Sequence, residues 1–285
     1  MGNIRDIKSR IESIKNTRQI TNAMKMVAAA KLRKAQNGII SARPYADHIN
    51  KMLATIKYKV ALNNERIFIV PDKDARKVLV VVTADRGLCG SFNSLIIKAA
   101  REYLKNNPGT DVICIGKKGH DILKKQSINM VKSYTGLFNE MNFNISIDIA
   151  QELSKIFYQK GYDQVEVLYN EFKSVMQQNI IHKTVLPIPI SEEMEDLEKL
   201  DYIYEPNREE VIAELSNKYI NVEIWRILLE SSAAEQGARM TAMDSATDNA
   251  TELIESLTLE YNMVRQSAIT TEIIEISSGA EAQNQ

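Results

Sequence analysis

The sequence is poor in cysteine and histidine and has no long apolar run, and each shortage excludes a class of protein. Two cysteines, Cys89 and Cys114, are too few for a disulfide scaffold, and neither stands at metal-ligand spacing from the three histidines. No window approaches the roughly 18 consecutive apolar residues of a membrane-spanning helix. The amino terminus also lacks the apolar region of a secretory signal. We therefore expect a chain without a metal centre, folded in a reducing compartment of the cell or of an organelle.

Proline is scarce and unevenly placed. Five of the six prolines lie between Pro71 and Pro206, and none follows Pro206. Because proline breaks helix interiors, the proline-free stretch, rich in Glu, Ala, Leu and Met, predicts one very long helix from 207 to about 278. Apolar residues recur there at heptad spacing, which is typical of a coiled coil. Gly237, inside this helix, marks either a swivel or a close approach of another element.

The amino-terminal stretch predicts a second long helix, ending near residue 58 and kinked near Gly38 or Pro44. Its apolar seam begins with Ile4, Ile7, Ile11 and Ile14. Residues 1–60 contain 13 Lys or Arg against 3 Asp or Glu, although the whole chain has a net charge of −1. The two terminal helices are expected to pack as an antiparallel pair.

The segment between these helices alternates strand and helix patterns, which indicates a Rossmann-like α/β domain. The predicted strands cover 76–84, 111–116, 128–134, 164–172 and 180–186. The predicted helices cover 94–104, 119–126 and 145–159. The expected fold is therefore an α/β protein, a long antiparallel coiled coil of the N- and C-terminal helices with an inserted Rossmann-like α/β domain. Its parts are an N-terminal shaft helix (1–60), a globular foot (61–206) and a C-terminal shaft helix (207–285).

The two helices differ in length, and this predicts an unpaired end. At 1.5 Å per residue the carboxyl-terminal helix is roughly 100 Å long and the amino-terminal one about 80 Å. Residues 261–276, which we call the tip segment, should then extend beyond the pair as a single helix. The tip segment contains apolar residues at 264, 269, 273, 274 and 276. Because water would otherwise surround them, we expect a partner protein to enclose the tip.

Two features of the foot invite an enzymatic interpretation. A doubly wound sheet often binds nucleotides, but Gly87 and Gly90 after the first strand form neither GxGxxG nor a P-loop. Cys89 lies between them in a turn that faintly resembles a nucleophile elbow, yet no histidine lies nearby in sequence to serve as its base. We expect no nucleotide site and a small packed cysteine. The alternative is a Rossmann-type enzyme whose terminal helices only mediate oligomerisation.

The basic amino-terminal helix leaves another alternative open. Lys and Arg along a helix suit phosphate contacts, so a basic coiled coil that binds nucleic acid is a competing hypothesis. The charges are spread around the helix, however, and no aromatic platform or recognition module accompanies them. A solvated outer face or a docking surface for an acidic protein partner is the preferred interpretation.

Four stretches, 20–36, 83–93, 235–250 and 261–280, resemble the ATP synthase gamma subunit family, and the similarity extends over nearly the whole chain. They read ITNAMKMVAAAKLRKAQ, TADRGLCGSFN, EQGARMTAMDSATDNA and YNMVRQSAITTEIIEISSGA. The resemblance implies a central rotor-shaft subunit that couples ion flow through a membrane ring to ATP synthesis or hydrolysis at alpha–beta interfaces. It implies no catalytic, cofactor or metal site on this chain.

The same resemblance implies the partners and the location. These are the alpha and beta subunits, the epsilon subunit and the membrane c-ring, with one copy of the chain per complex and no nucleic acid. The ring alone would bring the chain to the membrane, at the cytoplasmic face of a bacterial plasma membrane.

Individual residues take their expected roles from the family's motifs. The residues expected to contact alpha and beta are Met24, Arg33, Lys34, Arg86, Arg239, Arg265, Gln266, Thr270, Ile273, Ile274 and Ile276. Those expected to contact the membrane ring are Tyr202 and Glu205. Arg265, Gln266 and Thr270 match a polar catch near the tip, and the three isoleucines match an apolar collar. Arg33, Lys34 and Arg86 are expected to meet an acidic lever of the beta subunits.

Overall fold

The computed structural model describes residues 2–60, 66–69, 71, 75–126, 128–175, 177–189 and 202–283. The helices in these ranges are α1 (Gly2–Val60), α2 (Phe92–Asn106), α3 (Lys117–Leu123), α4 (Phe143–Gln159) and α5 (Arg208–Gln283). The strands are β1 (Lys77–Val82), β2 (Asp111–Ile115), β3 (Met130–Tyr134), β4 (Gln164–Phe172) and β5 (Gln178–Leu186). Short 3₁₀ turns cover Arg66–Phe68 and Leu137–Asn139. The acidic run 191–198 lies outside the described residues. No described helix has the length and apolar composition that crossing a membrane requires.

The strands form one sheet in the order β3-β2-β1-β4-β5. β1 pairs in parallel with β2 and β4, β2 with β3, and β5 joins β4 antiparallel. This confirms the predicted α/β class and the Rossmann-like domain. Each strand agrees with its prediction to within two residues, because runs such as Lys77–Val82 (KVLVVV) combine β-branched composition with complete burial of all but the first residue.

The sheet is covered on both faces, as parallel sheets require. On one face Val80, Val82 and Val167 pack against α4 and against buried residues of both terminal helices, including Leu53 and Leu228. On the other face alternate strand residues pack against α2 and α3. That cluster contains Leu79, Val81, Val112, Cys114, Leu168, Ile96, Ile97, Ala100 and Leu123. Side chains alternate between faces along each strand, so each strand serves two cores.

The chain divides into two compact units, and α1 and α5 contribute to both. The first unit contains Met1–Val27 and Met240–Gln285. Within it the Thr21 and Thr247 hydroxyl oxygens lie 2.8 Å apart, and Lys25 Nζ lies 2.5 Å from Asp244 Oδ1. Residue numbers rise along α1 where they fall along α5, which confirms the antiparallel pairing in this unit.

The second unit, Ala28–Arg239, contains the sheet and the remaining parts of α1 and α5. Leu32 and Ala35 of α1 pack with Ala233 of α5. A Cβ atom on Gly38 would lie 3.0 Å from Leu229 Cδ2, so the missing side chain allows this approach. α1 is helical through Pro44. The kink expected near Gly38 or Pro44 stays a prediction.

Gly237 lies where α5 packs closely against Phe172 and Val175. A Cβ atom there would lie 3.2 Å from Phe172 Cε2 and 3.6 Å from the Val175 backbone. Phe172 ends β4, so the sheet approaches α5 closely at this position. Of the two explanations that the sequence left open for Gly237, the structure favours the close approach.

Charged side chains join the sheet to α5 in the second unit. Lys183 of β5 lies 2.6 Å from Glu223 of α5, and Arg226 contacts both Glu223 (2.8 Å) and Glu230 (3.2 Å). Burial by itself raises the pKa of Glu223, but Arg226 and Lys183 outweigh it and leave that pKa below its usual range. The Glu223 carboxylate is therefore held in its charged form at a buried position, where losing one partner is costly.

Candidate functional site

The carboxyl-terminal edge of the sheet is where a doubly wound fold usually binds an anionic ligand. In this chain a side-chain carboxylate occupies that position. Asp85 follows β1. Its Oδ1 accepts hydrogen bonds from the Lys117 N–H (3.0 Å) and the Gly136 N–H (2.8 Å), and its Oδ2 accepts one from the Phe138 N–H (3.4 Å). Backbone donors that could hold a phosphate are therefore already occupied by the Asp85 side chain.

Gly116, between β2 and α3, and Gly119, inside α3, serve packing. The Gly119 N–H donates to Thr83 Oγ1 (2.9 Å), and a Cβ atom on Gly119 would lie 2.8 Å from that oxygen. Gly116 approaches the Thr83 carbonyl even more closely. These glycines let the first turn of α3 and the residue before it approach Thr83, directly after β1, which accounts for their presence without any pyrophosphate. The absence of a nucleotide site stays a prediction, and this packing supports it.

Replacing Asp85 by Ala should destabilise the chain by about 1–2 kcal/mol, because three backbone donors lose their acceptor while water can reach some of them. The matched control is Asp121→Ala, which removes only an exposed ion pair with Lys124 and should change stability by less than about 0.5 kcal/mol. Urea unfolding of both variants measures the difference. Equal stabilities would show that the Asp85 hydrogen bonds do not organise this edge.

Cys89 is buried and packed among its neighbours. It is 1% exposed, and the Asn93 side-chain N–H donates to its sulfur at 3.2 Å. Burial raises its pKa, with the nearby Arg239 acting in the opposite direction. His120 contacts Met130 and His182 contacts Glu166, and no histidine hydrogen-bonds to Cys89 among the residues described. The arrangement does not suit a thiol nucleophile.

Both thiols of the folded chain should react slowly with Ellman's reagent. The thiolate is the reactive species, and burial raises the pKa of Cys114 to about 12 and also raises that of Cys89. At pH 8 we expect labelling at least about tenfold slower than in urea-unfolded chain. Rapid labelling of one thiol in the folded chain would instead support a Rossmann-type enzyme with a reactive cysteine.

The tip segment leaves its apolar residues open to solvent. Every residue from 265 to 279 is exposed, including Ile273 (60%), Ile274 (59%) and Ile276 (66%). Ile269, Ile273 and Ile276 follow the i, i+4, i+7 spacing of one helical face. Among them lie the exposed Arg265, Gln266 and Thr270, and the Thr270 hydroxyl bonds to the Gln266 carbonyl of the same helix at 2.9 Å. This arrangement offers a mixed apolar and polar surface to a partner.

The basic residues predicted to meet an acidic partner are all on the surface. Arg33 and Lys34 are exposed on α1, and Arg86 is exposed in the loop after β1. All three belong to the second unit. Met24, which belongs to the first unit, is partly exposed.

Arg239 differs from the other predicted contact residues because it is only 9% exposed. Its guanidinium lies 2.6 Å from Glu235 Oε1 and donates to the Gly87 carbonyl at 3.1 Å. Burial raises the pKa of Glu235, and Arg239 opposes that rise. Arg239 thus ties α5 to the loop after β1 and offers little area to a partner. Its role as a partner contact stays a prediction.

Tyr202 and Glu205 lie just before α5. Tyr202 packs, together with Tyr204, against the core on the α4 face of the sheet, whereas Glu205 is exposed. Ile203 between the two tyrosines is 93% exposed. Ile203 was not among the predicted contact residues, although an apolar residue alternating with two tyrosines is visible in the sequence.

Comparison with known proteins connects this geometry to one family. A family model described as ATP synthase matches residues 3–283. The ATP synthase gamma chain of Prosthecochloris aestuarii is 44% identical over 289 residues, covering 99% of this chain and 99% of that protein. The gamma chain of Salinibacter ruber is 45% identical over 303 residues, covering 99% and 98%. The chain belongs to the ATP synthase gamma-chain family.

Solved structures agree with this membership in the gamma-chain family. A chain of the central stalk and c-ring structure of Tetrahymena thermophila mitochondrial ATP synthase is 29% identical, with a TM-score of 0.62, and the match covers 80% of this chain and 99% of that one. A chain of the Euglena gracilis mitochondrial ATP synthase is 19% identical with a TM-score of 0.70, covering 99% and 95%, and supports the fold alone. The predicted family and its fold are confirmed.

Proposed function

We propose that this gamma chain is the rotor shaft that couples ion flow through a membrane ring to ATP synthesis or hydrolysis at alpha–beta interfaces. The observation that carries the proposal is the tip segment, a continuous helix whose isoleucines 273, 274 and 276 are all about 60% exposed. An apolar helix end of this kind needs an enclosing surface. A ring of alpha and beta subunits supplies one.

The coupling would work through differential contact. A helical pair presents different side chains in different directions, so each surrounding catalytic subunit meets a different face. A contact that is more favourable in one conformation than in another shifts the population of that subunit. Rotation of the shaft would then present each face to each catalytic site in turn.

Torque must pass from the foot into the shaft without slippage, and the second unit contains a connection suited to this. Lys183 of β5 and Glu223 of α5 form a partly buried ion pair, which Arg226 and Glu230 extend along α5. Charged contacts of this kind fix one relative position, whereas apolar contacts tolerate sliding. The close packing of Gly237 against Phe172 adds a steric contact between the sheet and α5.

The first unit has a corresponding device between α1 and α5. An apolar coiled-coil seam permits several registers, and polar residues within it select one. The Thr21–Thr247 hydrogen bond supplies such a contact, and the Lys25–Asp244 ion pair, with side chains 36% and 47% exposed, adds a solvent-accessible one. Under load they would keep the two helices of this unit in register.

The residue roles follow the same proposal. Met24, Arg33, Lys34, Arg86 and Arg239 would contact alpha and beta along the shaft and foot. At the tip the contacts would be Arg265, Gln266, Thr270, Ile273, Ile274 and Ile276. Tyr202 and Glu205 would contact the membrane ring, and the exposed Ile203 is suited to join them.

The remaining features of the proposal concern the assembly. The chain would be non-catalytic, without a cofactor of its own, and present once per three alpha–beta pairs. The foot would also hold the epsilon subunit, and the ring would bring the chain to the cytoplasmic face of the membrane. The proposed division is an N-terminal shaft helix (1–60), a foot (61–206) and a C-terminal shaft helix (207–285).

Reconstitution tests this proposal. Purified alpha and beta chains from the same source are mixed with and without this chain, and complex formation and steady-state ATP hydrolysis are followed. We expect a complex with one copy per three alpha–beta pairs, and sustained hydrolysis only when the chain is present. A chain that remains separate, with hydrolysis indifferent to its presence, would contradict the proposal.

A further inference from the structure

A cleft in the second unit has the features of a small-ligand site, independently of the proposed function. It lies between α1, α5 and the 3₁₀ turn Leu137–Asn139, and its volume is about 210 Å³. Its apolar lining includes Trp225 and Leu229 of α5 and Phe138 of the turn. A cavity of about 150 Å³ accepts a benzene ring, so this cleft has room for one aromatic ring with a small substituent.

One wall of the cleft carries an amide that is available to a ligand. Gln236 lines the cleft and is 6% exposed, and its side chain makes no hydrogen bond within the part of the chain that the structure describes. An amide lining a cleft in this way is suited to hydrogen-bond to a polar group of a ligand.

The rim of the cleft is basic. Lys31 and Lys34 of α1 line it, and neither ammonium forms an ion pair within the described ranges, although Lys31 lies near enough to Glu235 to favour that residue's charged form. Their spacing of three residues places both on one face of α1. An anionic group at the mouth of the cleft would meet both side chains.

We propose that this cleft binds a one-ring aromatic carboxylate. The ring lies against Trp225, Phe138 and Leu229. The carboxylate meets Lys31 and Lys34, and the Gln236 side-chain N–H donates a hydrogen bond to it. Trp225 is the single tryptophan of the chain, so its fluorescence reports occupancy of the cleft directly.

The test uses the full-length chain and 4-fluorobenzoate as the probe, with Trp225 fluorescence and fluorine NMR as readouts. Saturable binding is expected with a Kd on the order of 1 mM or tighter, a range reasonable for a ligand of this size. The comparison ligands are 4-fluorobenzylamine and 4-fluorobenzyl alcohol. Both should bind at least about fivefold more weakly, because they lack the negative charge.

Variants separate the cleft from a general basic surface. The double variant Lys31→Gln/Lys34→Gln should weaken binding at least about tenfold, and Gln236→Leu at least about threefold. Lys51→Gln removes an equivalent charge from α1 at an exposed position outside the cleft lining, and it should change Kd by less than about twofold. Circular dichroism verifies that each variant is folded.

Three results would overturn the proposal. They are the absence of saturation by about 10 mM, equal binding of the acid and the amine, and an equal loss of affinity in Lys51→Gln and the double variant. The assay contains no alpha or beta chain, so its failure would leave the rotor-shaft proposal untouched.

Discussion

Gly116→Ala should destabilise the chain by about 4 kcal/mol or more, because two costs coincide at this turn. Gly116 has a φ of +98°, a conformation that side chains disfavour. A Cβ atom there would also lie 2.0 Å from the Thr83 carbonyl oxygen and 2.6 Å from its carbon. Both obstacles are backbone atoms of the segment that follows β1, so relief requires moving β1 or β2 at the centre of the sheet.

Gly109→Ala is the matched control for this prediction. Gly109 has a φ of +87°, but a Cβ atom there meets nothing within 4 Å. Its cost should be limited to the backbone conformation, about 1–2 kcal/mol. Urea unfolding of both variants isolates the steric cost. If Gly116→Ala were no more destabilising than Gly109→Ala, the turn after β2 would not be packed on Thr83.

The triple variant Ile273→Ser/Ile274→Ser/Ile276→Ser should weaken association with alpha and beta chains at least about 100-fold. Each isoleucine is about 60% exposed in the chain, and burying such a side chain contributes about 1.5–3 kcal/mol. In the isolated chain the same variant should change the free energy of unfolding by less than about 0.5 kcal/mol, because these side chains are exposed.

The control for the triple variant lies in the same helical turns. Thr271→Ala/Ser277→Ala alters two exposed polar residues close in sequence to the three isoleucines. It should change association by less than about threefold. Fluorescence titration of labelled chain with alpha and beta measures both effects. Undiminished association of the triple variant would mean that the exposed isoleucines are not enclosed in the complex.

Much of the fold was predictable because its signals are local. The β-branched composition of runs such as Lys77–Val82 predicts strands, and heptad spacing predicts α1 and α5. The exposed tip was predictable by length alone, since α5 contains 76 residues and α1 contains 59. Patterns of composition, period and length therefore predicted the elements and the unpaired helix end.

The remaining features depend on contacts between residues far apart in sequence. Nothing in the sequence near Asp85 indicates that its acceptors face the N–H groups of Lys117 and Gly136. Gly237 could not be interpreted until Phe172 was seen beside it. The same holds for the cleft at Trp225, whose lining comes from three separate segments. Pairings of this kind are set by the packing of whole elements, which local patterns do not encode.

Direct observation of rotation shows whether this chain turns relative to the alpha and beta subunits during ATP hydrolysis. A cysteine placed at Lys98, an exposed position on α2, would attach a bead to the chain, while the two buried native thiols stay unlabelled. The alpha and beta chains of the reconstituted complex are fixed to a surface, and ATP is added. We expect continuous rotation of the bead in one direction, at a rate that follows ATP hydrolysis. Hydrolysis by the assembled complex without rotation of the bead would contradict it.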